Sequence, residues 1–174
     1  MTWNSFHHRG EILRTVIATA DARRDGTLPT DLAGVTETFG DDLTLLGVLQ
    51  LRWHTRLSGR IERELMYQPL DLEQAVINAW QATAEELPGI RAIVDRHRAE
   101  PQDETTARAM AKAAANEWTM LAVMAGQVSM QDEAAIHAGQ LIESKARATF
   151  RPVHRIPEPR NAGFLDRIRA ALAA

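Results

Sequence analysis

The sequence predicts an all-α fold: a helical bundle of five to six main helices around a long central helix, about residues 42–68, with a short C-terminal helix on a Pro-rich connector. Three observations lead there. Apolar residues recur at helical spacing through most of the chain, and no segment sustains the period-two alternation of a half-buried strand. Ala, Leu, Arg, Glu and Gln dominate, and all are good helix formers. Capping residues, glycines and prolines interrupt the apolar stripes at helix-length intervals.

The first helix is expected from Ser5, an N-cap, to Arg24, with Phe6, Leu13, Val16, Ile17 and Ala20 on its apolar stripe and Asp25-Gly26 ending it. Pro29-Thr30-Asp31 then opens a short helix closed by Gly40. Asp41 and Asp42 cap the long helix, and Pro69 limits it. Its two halves differ. Between Leu43 and Leu51 only Thr44, Gly47 and Gln50 are not large and apolar, so this half is expected to be buried on several sides. The second half keeps one stripe, Trp53, Leu57, Ile61 and Leu65.

Asp71 with Gln74 has the form of a capping box for the next helix, whose inward face is Leu72, Val76, Trp80, Ala84 and Leu87. Pro88-Gly89 kinks or breaks it, and Ile90, Ile93, Val94 and His97 continue the pattern to about Arg98. After the polar turn Glu100–Asp103, a helix from Glu104 to about Gln127 turns Met110, Ala114, Trp118, Leu121 and Ala125 inward. Ala122 and Gly126 would let a neighbouring backbone approach closely. Ser129 with Asp132 starts a further helix to about Phe150. Three prolines between Arg151 and Pro159 then impose an extended connector. Asn161 caps a short amphipathic helix with Phe164, Leu165, Ile168 and Leu172 on one side. The chain thus divides into a bundle, 1–150, and a basic tail, 151–174.

Composition narrows the function. A chain of 174 residues is long enough for one domain with a sizeable core. Apolar residues at 45% and charged residues at 25% exclude a disordered chain. The absence of cysteine excludes disulfides, a thiolate nucleophile and zinc–sulfur sites. Met1–His8 lacks the pattern of a signal peptide. The most apolar stretch, Thr119–Val128, is far shorter than a membrane span. A cytoplasmic protein without a membrane span is therefore expected. A net charge of −3 argues against nucleic acid as a partner for the whole domain. Yet Lys145, Arg147, Arg151, Arg155, Arg160, Arg167 and Arg169 face only Glu158 and Asp166 in the last stretch, so charge is uneven.

Candidate sites are few. His7 and His8 each fall within one turn of Glu11, and these three are the metal candidates. The paired Glu-x-x-His motifs of di-iron bundles and the His-Glu-x-x-His of zinc hydrolases are both absent, so no cofactor is expected. No nucleophile elbow, phosphate loop or dinucleotide fingerprint occurs, and no catalytic residue is identified. Arg52, Arg56 and Arg60 are four apart on one face of the long helix. They form either a row able to hold a phosphate or carboxylate, or a solvated face with Glu64 paired to Arg60. Trp53, Trp80 and Trp118 sit on inward stripes of three helices, as core filling or as the walls of an apolar pocket with the arginine row at its mouth.

The preferred reading is a non-enzymatic bundle that acts through self-association as a homodimer. Its interface would be Leu45, Val48 and Leu49 of the long helix and Phe164, Leu165 and Ile168 of the terminal helix. The tail would dock on its own domain, a second subunit or another protein. The alternative is a bundle that binds a small anionic or apolar molecule, or an enzyme acting on one. Nucleic-acid binding through the basic tail is a third reading.

Overall fold

Seven helices make up all the regular structure among the described residues of the computed structural model, which are 3–128 and 133–152, with side chains from residue 7. They are α1 (Trp3–Arg23), α2 (Val35–Phe39), α3 (Asp42–Met66), α4 (Leu72–Glu86), α5 (Pro88–Ala99), α6 (Glu104–Met124) and α7 (Glu133–Thr149). The chain is an all-α helical bundle around the long helix α3. None of these helices is long and apolar enough to cross a membrane.

Aspartates start three of the helices. Asp41 accepts from the Thr44 amide at 2.7 Å, Asp71 from Gln74 at 2.9 Å and Asp103 from Thr106 at 2.8 Å. Each satisfies one of the amides that a first helical turn leaves without a partner. The Asp71 capping box is only half made, because the Gln74 side chain donates to Asn78 instead. Helix α1 begins at Trp3, so Ser5 lies inside it rather than at its cap. The short helix expected from Pro29 contracts to Val35–Phe39, entered through Gly34 at φ 82°. The expected boundary at Pro88 is a true break, with Pro88 opening α5, where a missing amide hydrogen costs nothing.

Helix α6 packs most extensively on α7, α3 on α4, and α1 on α5. Two glycines permit two of these contacts. A Cβ on Gly139 would stand 1.9 Å from the Trp118 carbonyl oxygen, and one on Gly89 would stand 2.1 Å from the Ala20 carbonyl carbon. Backbone thus meets backbone at α6/α7 and at α1/α5. The close approach expected at Ala122 and Gly126 is displaced, because α6 ends at Met124 and Gly126 is a left-handed turn residue. At the α1/α5 contact the Gly89 amide donates to Asp21 Oδ1 at 2.8 Å. Helix α5 has no side-chain cap from its own N-cap residue, Leu87, so a residue of α1 supplies one.

The core forms on α3. Leu45, Leu46, Leu49, Trp53, Leu57 and Ile61 are buried against Val76, Trp80, Ile90, Ile93, Leu121 and Ile142 from the other helices. Two sequence expectations need correction. The first half of α3 is not enclosed on every side: Leu43 and Val48 are half-buried and Leu51 is 64% exposed. Leu72 was expected to point inward and is 40% exposed. The inward set of α5 is as expected, and the buried His97 has Nδ1 2.9 Å from the Ile93 carbonyl oxygen. The side chains of Trp3 and Phe6, the Ser129–Asp132 capping box, and the connector and terminal helix beyond Pro152 lie outside the described residues.

These glycines make opposite predictions. Gly139→Ala forces a methyl group into the α6 backbone and should cost about 3 kcal/mol, near the upper end for overpacking. Gly47→Ala, where an added Cβ meets nothing within 4 Å, should stabilise by about 0.5–1 kcal/mol through helix propensity. Urea denaturation followed by circular dichroism distinguishes them, and equal stability of the two variants would refute the close α6/α7 packing.

Candidate functional site

Each of the three inward tryptophans carries an arginine over its ring. The Arg91 guanidinium lies 4.7 Å from the Trp53 ring centroid, Arg147 lies 5.0 Å from Trp80, and Arg98 lies 5.9 Å from Trp118. A guanidinium over an indole face is attracted by the ring quadrupole. The indole edges are used as well. Trp53 Nε1 donates to Glu117 Oε1 at 3.1 Å, and Trp118 Nε1 donates to Glu143. Trp80 makes perpendicular ring contacts with Trp53 at 5.9 Å and with Phe150 at 6.4 Å, and its buried N–H has no partner among the described residues. Among the described residues each of the three indoles is thus in contact with charged or aromatic side chains of the bundle. Side chains of α5, α6 and α7 meet the rings where a ligand was envisaged.

The same arginines join three carboxylates into one network. Glu117 is fully buried, with Arg91 at 3.4 Å and Arg98 at 2.6 Å. Arg91 and Arg147 both reach Asp95, at 2.7 and 2.6 Å. Arg147 also reaches Glu143 at 2.7 Å, and Arg98 lies 3.5 Å from it. Three arginines balance three acids, which is how charge is tolerated in an interior. Burial alone would raise the pKa of Asp95. Arg147 and Arg91 overcome it and hold that carboxyl below its ordinary value. Glu143 is likewise lowered, against burial, by Arg91, Arg147 and the Trp118 N–H. Every acid in the network is engaged, and the arrangement ties α5, α6 and α7 to α3.

The sequence reading missed Glu117, Arg91 and Arg98 because a charge usually marks a solvated face. Spacing held the signal. Glu117 falls three residues after Ala114 and four before Leu121, and Arg91 falls four after Leu87 and three before Val94.

The arginine row divides. Arg52 is exposed, while Arg56 and Arg60 converge on Glu86 at the end of α4. Arg56 donates from Nε to Glu86 Oε2 at 2.9 Å, and its Nη2 lies 2.7 Å from Oε1. The expected Arg60–Glu64 pair is replaced by Arg60–Glu86. Arg56 and Arg60 line a groove of about 800 Å³ together with Arg24, Ala82, Ala84, Glu85, Glu86, Pro88, Phe150 and Pro152. None of the three tryptophans lines it.

His7, His8 and Glu11 are exposed, with Glu11 3.9 Å from Arg14. Among the described residues no group of three or more His, Asp or Glu could hold a metal ion. Leu45 and Leu49, read as interface candidates, are buried in the chain's own core, and Val48 is half-buried. Phe164, Leu165 and Ile168 lie outside the described residues. Of the basic residues counted with the tail, Lys145 pairs with Glu73 and Arg147 belongs to the network. Exposed apolar side chains gather elsewhere. Met66, Tyr67, Leu70 and Leu72 occupy the α3–α4 turn. Leu72 Cδ1 also reaches Gly126, three residues past the exposed Val123 of α6.

Comparison with protein families, curated proteins and solved structures finds no match for this chain.

Two outcomes follow from the network. Because Asp95 and Glu143 have lowered folded values, their contribution is complete above the ordinary values of 3.8 and 4.5 and is lost as pH falls through the folded values. The urea midpoint should therefore drop below about pH 4.5, and Arg147→Met should flatten that slope by letting both acids rise toward their ordinary values. Glu117→Gln removes the buried carboxylate shared by Arg91 and Arg98, leaving Asp95 as the partner of Arg91 and Glu143, at 3.5 Å, as that of Arg98, and should cost about 3–5 kcal/mol at neutral pH. A midpoint unchanged in Glu117→Gln would remove the network from its central role.

Proposed function

We propose that this chain is a non-enzymatic interaction protein that acts by self-association as a homodimer, through the apolar end formed at the α3–α4 turn. One observation carries the reading: three large apolar side chains within five residues, Met66, Tyr67 and Leu70, stand in solvent beside the partly covered Leu72, and Leu70 is fully exposed. Scattered surface leucines need no explanation, but a cluster at a single turn does. Tyr and Met are enriched in interfaces. A two-fold axis through such a turn brings the same patch against itself, so one surface closes the assembly without leaving an open end.

The first half of α3 suggested a seam from its sequence, but Leu45 and Leu49 are spent on the monomer's own core. The apolar turn inherits that role in our reading. A non-catalytic role is supported by the engagement of the buried acids with arginines. The cysteine-free composition fits a cytoplasmic setting.

Light scattering behind size exclusion, at tens of micromolar protein, should give twice the monomer mass. Tyr67→Glu with Leu70→Glu should give the monomer mass while thermal unfolding stays cooperative, with a midpoint that no longer rises with protein concentration. A monomeric parent chain, or a dimer that survives both substitutions, would overturn the proposal.

A further inference from the structure

The groove beside α3 has the composition of a small-molecule site rather than of a packing defect. Its volume of about 800 Å³ falls in the range that binds small organic ligands. Three guanidinium groups line it, Arg24 at the end of α1 and Arg56 and Arg60 on α3, against two acids, Glu85 and Glu86. The lining therefore keeps a positive excess. Glu86 shows what the arginines are arranged to do, since two side chains from successive turns of α3 meet on one carboxylate. Arg24 takes part in none of the ion pairs among the described residues, and its Nε donates to the Asp21 carbonyl oxygen at 3.0 Å. The Arg60 Nε is buried without a hydrogen-bond partner among the described residues.

The rest of the lining is apolar: Ala82, Ala84, Pro88, Phe150 and Pro152. Phe150 is held by its perpendicular contact with Trp80, whose other contacts are Trp53 and the Arg147 guanidinium. An aromatic side chain on a fixed support thus shares the groove with a cluster of cations.

We propose that this groove binds a small organic anion with a flat apolar body, such as an aryl sulfonate, aryl phosphate or aromatic carboxylate. The anionic group seats at Arg24, Arg56 and Arg60, and the ring lies along Phe150 and the two prolines. Planar forks suit such oxygens, because each makes paired hydrogen bonds with them. Glu86 is the occupant that the chain itself supplies. It keeps Arg56 and Arg60 aligned when no ligand is present and competes with the ligand when one arrives. The proposal is independent of self-association at the α3–α4 turn.

The test uses the full chain and two dyes of nearly equal shape, 8-anilino-1-naphthalenesulfonate and its uncharged counterpart N-phenyl-1-naphthylamine, titrated by fluorescence. The sulfonate should bind one per chain with a dissociation constant on the order of 10 μM. Arg24→Ala and Arg56→Gln should each weaken it about tenfold, the scale of one charge-assisted hydrogen bond. Glu86→Gln should tighten it about fivefold by removing the competitor. The uncharged dye should bind at least tenfold more weakly and ignore all three substitutions. Tyr67→Glu with Leu70→Glu, at the distant apolar turn, should leave sulfonate binding intact. Should Arg56→Gln fail to fold, Glu86→Gln carries the test alone, since it removes one partly exposed charge. Equal binding of the two dyes, sulfonate binding lost only in the Tyr67/Leu70 variant, or no gain in Glu86→Gln would each overturn the proposal.

Discussion

Glu117 is the constraint on which the bundle depends. A carboxylate with no exposed surface sits between Trp53 of α3 and Arg91 and Arg98 of α5. An uncompensated ion in that position would cost several kcal/mol, so the three helices must meet in an arrangement that pairs it. The requirement spreads outward. Arg91 brings in Asp95, Asp95 brings in Arg147, and Arg147 brings in Glu143, whose second partner is the Trp118 indole. Each arginine then uses its flat face on a tryptophan. A one-residue slip of α5 along its axis would break most of these contacts at once.

The sequence made much of the architecture legible. Aspartate caps, the stripe Trp53–Leu57–Ile61 and the break at Pro88 are local features, and local chemistry decides them. What stayed hidden depends on partners far along the chain. Gly47 and Gly139 look alike in sequence, yet one faces open space and the other a carbonyl of α6. The partner of Arg56 and Arg60 is Glu86, not the nearby Glu64, because α4 runs alongside α3. Leu51 and Leu72 carried apolar character that the helices around them do not cover. The candidate site was half legible. Arg56 and Arg60 were named from their spacing, whereas Phe150 and Arg24 join them only through the packing of α1 and α7. The tryptophans were rightly placed inward, and the arginines that meet them come from helices whose charges read as surface.

Trp80 links the two halves of this picture. One of its faces meets Arg147 of the network, and its perpendicular ring contacts reach Trp53 and Phe150. The groove wall is thereby fixed to the most constrained part of the core, although the groove itself opens to solvent. Binding sites perform best when the groups that touch a ligand are held by others that do not. Here that support is built from charge and aromatic rings together. Among the described residues the apolar side chains Met66, Tyr67 and Leu70 of the α3–α4 turn have no such ring or charge support.

The cap that Asp21 places on α5 has a consequence for how the chain comes off the ribosome. Donor and acceptor are separated by 68 residues, and the Trp53–Glu117 bond by 64. During synthesis at about 5–20 residues per second, α1 therefore waits on the order of 3–14 s for the helix it must dock against. In that interval α1, with Val16 and Ala20 on its buried face, has α2 to pack against but lacks α5. Most of its own turns are closed locally, so the helix itself can form early, but its tertiary partner cannot. The cap that joins α1 to α5 thus has to wait until Gly89 has been added to the chain.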